Sequence, residues 1–356
     1  MTGKRTPPEQ RRSRPRGRLS LALVLLSLIP FGSAQSGERP RQEGATAVRV
    51  DDRNSRQRGA EIVRQSRERV GTDPERNGQR TFSASGKSRR YVRYLSVQSP
   101  TRVVEKQKVL NGKLEMDFAL PDRFRLRIRG ATLTGFGFSI EEIVNGEKAW
   151  RNPPMSVRSF QRDQRVIDVG DAERTLLLQA RTARQQITFH SLGWLVASPS
   201  SLPLDLSFAG LFRPLTGPLH RPDQLAYESV LATSDDGLRL VLHFDPESCL
   251  LRAITLAYVD VYHEAVVVEV ASFDRRVIAG SYARAREERR RRERTAERQE
   301  VTWQFFDHRA VAGLVLPHRA TIHFNDKLIE EIELDRVRVD QPIDPKRFAG
   351  REEVRY

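Results

Sequence analysis

Short runs in which apolar and polar residues alternate constrain the fold of this chain more than any other feature. In Phe124-Arg-Leu-Arg-Ile-Arg129, Phe124, Leu126 and Ile128 share one face, and Arg123, Arg125, Arg127 and Arg129 share the other. That is the period of a half-buried strand, so one side is expected to pack and the other to be wet and cationic. Runs at 80–86, 91–97, 102–110, 227–233, 238–244, 250–259 and 266–273 read as strands in the same way. Asn111-Gly112, followed by the run Leu114 to Phe118, reads as a two-residue hairpin turn, because both residues accept positive φ. Asn145-Gly146 and Asp236-Gly237 carry the same signal, and Pro121-Asp122 breaks the chain ahead of the arginine strand. Near the C-terminus, residues 314–324, the turn Asn325-Asp326-Lys327 and residues 328–339 read as a hairpin. Its exit, Asp340-Gln-Pro-Ile-Asp-Pro-Lys-Arg-Phe348, is punctuated by proline.

Two segments leave this alternation. Ala60, Ile62-Val63 and Val70 before Gly71 suit a short amphipathic helix ended by the glycine. Leu176-Leu-Leu178, Ala180, Ala183 and Ile187, behind a capping Asp171, give a broad apolar stripe and predict the main helix over 171–195. A Leu- and Pro-rich loop is expected over 200–222.

The wording of the C-terminal hairpin and its exit resembles the end of LolA/LolB-like outer-membrane lipoprotein-sorting proteins. So does the Pro-x-x-Phe-Arg pattern at Pro121 to Arg125, and so does Phe244-Asp-Pro-Glu-Ser248, which is similar to a recurrent Phe-Asp-x-x-Thr turn with Ser248 where threonine is usual. The resemblance implies a mainly β (α+β) fold, a half-open antiparallel β-barrel with helices covering its concave face. In such a fold the segment 171–195 lies across the concave face as a lid or plug; the alternative is that it fills the core permanently. A buried arginine can help hold the lid in that family, and none of the four arginines of the strand is singled out as its counterpart. The chain departs from the family in its length and in an arginine-rich insertion at 284–298, which has eight arginines and four glutamates.

The first residues bear on location. Lys4 to Arg18 holds seven basic residues and one acid, ahead of the apolar run 19–29 and the small-residue stretch ending at Ala34. This is the layout of a secretory signal peptide over 1–34, with export to the periplasm; a run of 11 residues falls short of the ~20 of a spanning helix. A polar, disordered leader is expected over 35–58, and a single domain over 59–350. No cysteine near Ala34 could carry a lipid anchor. Cys249 is the only cysteine, which excludes an internal disulfide and any multi-thiolate metal site and reads as a half-buried structural thiol. The net charge of +15, about +9 without the leading segment, would attract anionic membrane surfaces, and nucleic acid is not expected in an exported protein.

The chain carries no catalytic pattern. His263-Glu264 begins a zinc-helix motif, but Val267 stands where the second histidine belongs, and there is no Gly-x-Ser-x-Gly elbow or phosphate loop. His243 and Asp245 would share a strand face, as an acid/base or metal pair would; His318 and His323 would face opposite sides at the surface or rim. No metal or cofactor is indicated. The expectation is a non-enzymatic, monomeric periplasmic carrier or chaperone for acyl chains of lipids or lipoproteins, with an envelope scaffold binding a protein partner as the alternative. Phe124, Leu126, Ile128, Leu177, Trp194, Leu195, Phe208 and Phe212 are the candidate cavity residues.

Overall fold

The computed structural model of the chain describes residues 52–72, 80–99, 102–131, 137–152, 169–213, 226–258, 265–268, 299–324 and 326–350, with isolated positions between 279 and 287. The expected signal segment, residues 35–51 and most of the arginine-rich insertion lie outside the described residues. In chain order the elements are α1 (Asp52–Val70), β1 (Thr81–Ser99), β2 (Arg102–Ala119), β3 (Arg123–Ala131), β4 (Gly137–Asn145) and β5 (Lys148–Asn152). They continue with α2 (Val169–Leu195), β6 (Asp205–Phe212), β7 (Tyr227–Thr233), β8 (Arg239–Phe244), β9 (Leu251–Tyr258) and β10 (Ala265–Val268). The last strands are β11 (Gln299–Val311), β12 (Leu314–Phe324) and β13 (Lys327–Val339), followed by a 3-10 turn at Pro345–Phe348.

All thirteen strands join one sheet in the order β5-β4-β3-β2-β1-β13-β12-β11-β9-β8-β7-β6, with β10 added in parallel to β1 and every other pairing antiparallel. The first strand lies beside the last, and β5 and β6 are the two ends. The sheet is therefore open between β5 and β6, and the connection that crosses from one to the other is α2. That crossover places the main helix over the concave face, as the resemblance implies.

The hairpin expected at Asn111-Gly112 is not formed. β2 runs straight through it, with Asn111 opposite Arg89 and Gly112 opposite Ser88, so four expected strand runs become two long strands. Asn-Gly permits a turn without requiring one. Here the glycine serves a close approach, because a Cβ on Gly112 would sit 2.9 Å from the Arg129 carbonyl oxygen of β3. Gly146 and Gly237, by contrast, do turn hairpins at φ 59° and 86°. Strand β6 falls in the stretch read as a loop; it is an edge strand between prolines, a setting in which alternation is weak.

α1 begins at Asp52, inside the span read as a leader, and ends where expected. Gly71 (φ 86°) and Thr72 donate their N–H groups back to Glu68 O and Arg67 O, at 3.2 and 2.9 Å, in a Schellman closure. Its N-terminal half rests on edge strand β6: Ser55 Oγ donates to Phe208 O at 2.9 Å, and Gly59 lies against the Ser207–Phe208 backbone.

The inner face of the sheet is apolar across its width, with Phe82, Phe118 and Phe124 in successive ring contact at 5.7 and 5.3 Å. The outer face of β1–β4 is not simply wet. Arg125, expected in solvent, is 4% exposed. Its Nη1 donates to Asp117 Oδ2 at 2.6 Å and its Nε to Glu141 Oε1 at 2.7 Å, while Arg347 reaches Asp117 from the C-terminal exit at 2.9 Å. The 3-10 turn covers this face, burying Phe348 beneath the Arg123 guanidinium at 5.7 Å. Its cap is Asp344, whose carboxylate accepts the Lys346 N–H at 2.9 Å.

Candidate functional site

The concave face is occupied by the C-terminal half of α2. Ile187, Leu192, Trp194 and Leu195 share one buried core with sheet residues that include Phe124, Leu126, Trp303 and Phe305. β11 supplies the aromatic floor. Phe189 and His190 both meet Trp303 edge-on, at 4.6 and 4.9 Å between centroids, and Trp194 meets Phe305 at 5.9 Å. Gly193 allows this approach, since a Cβ there would lie 2.4 Å from Phe305 Cζ. Gly193→Ala should therefore lift the helix and cost about 1–3 kcal/mol of stability by overpacking. A chemical-denaturation comparison with Gly193→Ala/Phe305→Leu checks this, because shortening the ring should recover most of the loss.

α2 is tied down at both sides of the opening and at its end. Arg184 Nη2 donates to Glu147 O in the β4–β5 turn, and Arg181 Nη2 to Asp236 O in the β7–β8 turn. One helix thus holds two hairpin tips from opposite halves of the sheet. Its last turn has no basic residue of its own. Arg67 of α1 supplies the complementary charge, with Nε donating to Val196 O at 2.9 Å, and Thr72 Oγ donates to Leu195 O at 2.7 Å.

Thr188 Oγ, His190 Nδ1 and Trp194 Nε1 on this buried helix are left without a hydrogen-bond partner, as are the Nε atoms of Arg181 and Arg184. Burial drives the His190 pKa down to about 3, so the ring is neutral. A second polar feature lies nearer the edge. Glu142 shares its strand face with Val144 and lies opposite Leu126, facing inward; burial pushes its carboxyl up to about 7, opposed by Arg151 at 3.5 Å.

The expected cavity residues divide into three groups. Phe124, Leu126, Trp194 and Leu195 are fully buried in one hydrophobic core, with Ile128 on β3 and Phe208 on β6 half-buried against that core. Leu177 is on α2, but its side chain lies outside the described residues. Phe212 does not face the concavity. A bulge between Phe208 and Gly210 (φ 106°) slips the register by one residue, so Phe212 pairs with Tyr227 and its ring covers His243 on the outer face at 4.9 Å, 39% exposed. Missed from the sequence were Trp303, Phe305, Gly193 and His190; the alternation Trp303-Gln-Phe305 was the available signal for the first two.

His243 and Asp245 do not pair but belong to two separate arrangements. His243 Nδ1 meets Ser229 Oγ at 2.9 Å and its Nε2 meets Thr255 Oγ at 3.1 Å; burial holds its pKa near 4. Ser229 is itself buried, so this pair presents no open nucleophile. Asp245 instead shapes its own turn, accepting the Glu247 N–H at 3.0 Å and pairing with Arg252 at 3.1 Å, with Cys249 half-buried, free and in the left-handed region at φ 57°. His318, expected at the surface or rim, is buried, and its Nδ1 meets Leu316 O at 3.1 Å. Among the described residues no group of His, Cys, Asp or Glu could hold a metal ion, and no helix is long and apolar enough to cross a membrane.

An open antiparallel half-barrel whose concave face is covered by helices is the architecture that the sequence resemblance implies. The described strands form that open sheet, with α2 across it. In structure the chain is similar to a LolA superfamily protein from Nitrosomonas europaea, with a TM-score of 0.39, 10% identity, and coverage of 82% of this chain and 97% of that one. It is also similar to a domain of outer membrane lipoprotein-sorting type from Vibrio parahaemolyticus, with a TM-score of 0.42, 7% identity, and coverage of 82% and 97%. A third likeness is to a DUF1329 family protein from Desulfovibrio piger, with a TM-score of 0.32, 8% identity, and coverage of 83% and 97%. No protein-family model matches the chain, and no curated protein matches it in sequence. The open half-barrel described above rests on the chain's own strand order and register, and its cargo is argued from the site.

Proposed function

We propose that this LolA-like protein is a periplasmic, non-enzymatic carrier or chaperone that shields acyl chains of lipids or lipoproteins against the concave face, with α2 moving aside to admit them. The observation that supports this reading is the crossover itself. Among the described residues, the connection between the two edge strands carries a helix pressed on a largely apolar face and tied to the two rims by Arg181 and Arg184. A helix in that position and an acyl chain compete for one surface. Burying a chain contributes ~0.8 kcal/mol per CH₂, so about ten methylenes supply roughly 8 kcal/mol. That matches the whole stability of an ordinary domain, about 5–15 kcal/mol, and is enough to displace one helix.

Native mass spectrometry with lipid extraction, on chain beginning at Gln35 and purified from a bacterial periplasm, tests the reading. A co-purifying phospholipid or acylated peptide is the expected result. Arg181→Ala/Arg184→Ala, which frees the helix from both hairpin tips, should raise bound lipid severalfold while lowering the unfolding midpoint only slightly. A clean apo mass that also refuses added lipid, in both proteins, would sink the carrier and leave the alternative of a filled scaffold that binds a protein partner.

A further inference from the structure

Within the carrier reading, we infer that His190 and Trp194 form a polar subsite on the inner face of α2 for the carbonyl of an acyl ester or acyl amide, so that the cargo is an acylated molecule rather than a bare alkyl chain. The two residues are four apart on one helix and therefore lie on one face, a single turn from each other. Both rings rest on β11, His190 on Trp303 and Trp194 on Phe305, which themselves lie 6.3 Å apart. The pair thus faces the surface that an acyl chain would occupy.

Both side chains are almost wholly buried, and neither Nδ1 of His190 nor Nε1 of Trp194 has a partner. Folded proteins satisfy nearly all such groups, and an orphan costs about 1–3 kcal/mol. Two orphans one turn apart, over the same aromatic pair, mark a place where the partner comes from outside the chain. Indole Nε1 only donates, so that partner must offer an acceptor. Hydrocarbon has none, whereas the carbonyl at the head of every acyl chain has one.

The acceptor should also be neutral. Burial alone accounts for the lowered basicity of His190, with no charged neighbour contributing. A phosphate or carboxylate brought there would lose its hydration without gaining a counter-charge. An ester or amide carbonyl carries no such penalty, and it sits at the boundary between chain and headgroup. When such a ligand displaces the helix from Trp303 and Phe305, Trp194 Nε1, and His190 Nδ1 in the tautomer that protonates it, gain a partner that the closed chain withholds.

The test compares two lysophospholipids of equal chain length and headgroup, a 1-palmitoyl ester and the 1-O-hexadecyl ether that lacks the carbonyl, using full mature chain and native mass spectrometry or calorimetry. An N-palmitoyl peptide as a third probe separates the amide of an acylated protein from the ester of a lipid. The ester should bind about tenfold more tightly than the ether, equivalent to ~1.4 kcal/mol. His190→Phe and Trp194→Phe should each bring the ratio towards one without weakening ether binding. Equal affinities in the unmodified protein would overturn the subsite whether or not either variant folds, and so would a ratio that both variants preserve. Ester and ether bound equally well leaves the carrier standing; binding of none of the three sinks the carrier and the subsite together.

Discussion

Replacing Arg125 by methionine should lower the stability of the protein by roughly 3–5 kcal/mol, the range for removing one partner of a buried ion pair. The guanidinium is enclosed by Asp117, Glu141 and Glu115, at 2.6, 2.7 and 3.7 Å, beneath the C-terminal turn. Without it, Asp117 stays buried with one charged partner, Arg347, whose own side chain is 44% exposed. The loss therefore comes from the stranded carboxylate more than from the broken contact. Arg125→Met/Asp117→Leu removes both buried charges and should recover most of the stability, because an apolar pair of similar volume often replaces a buried ion pair without loss. Urea unfolding of the two variants decides the matter. A double variant no more stable than the single one would mean that Arg125 acts by packing and not by neutralising Asp117.

Arg125 also shows why sequence reading stops where it does. Period-two alternation correctly places it opposite Phe124 and Leu126, on the outer face of β3. What covers that face is a turn more than two hundred residues further along the chain, and no local pattern announces it. The same limit explains Phe212. Alternation carries its side chain inward from Phe208, and the one-residue bulge at the sheet edge carries it outward. Where local chemistry decides, the reading holds: β7 occupies 227–233 as expected, Gly71 ends α1, and Asp245 shapes its turn. Asn111-Gly112 lies between these cases, because its preference for a turn is weak enough for pairing along all of β2 to override. The main helix was legible as an apolar stripe from 171 to 195, but its polar contents were not. A stripe counts apolar residues, and the unpartnered groups of Thr188, His190 and Trp194 become visible only when the opposing sheet is in place.

Buried titratable groups, His190 among them, govern the response to acid, which should be steep between pH 6.5 and 4.5. His190 and His243 titrate at about 3 and about 4 in the folded chain, against an ordinary value of 6.5. Between those values the unfolded chain binds the extra proton, so stability is present above pH 6.5 and is lost as the pH falls. Each contributes roughly 3–5 kcal/mol over its full window. His308, lowered to about 4 by burial and by the nearby Arg252, acts in the same direction. Glu142 acts in the other. Its carboxyl rises from 4.5 to about 7, so between these values the folded chain holds the extra proton, and its contribution is lost as the pH rises. The balance is a net one to two protons taken up on unfolding, or about 1.4–2.8 kcal/mol per pH unit. Stability should therefore peak near neutrality. Unfolding free energies measured by urea at pH 7, 6 and 5 read this slope directly. His190→Phe should flatten it by one proton and Glu142→Gln should steepen it by one. A stability unchanged from pH 7 to 5 would mean that the histidines reach water in the folded state; a slope that His190→Phe leaves unaltered would mean that α2 does not seal the concave face.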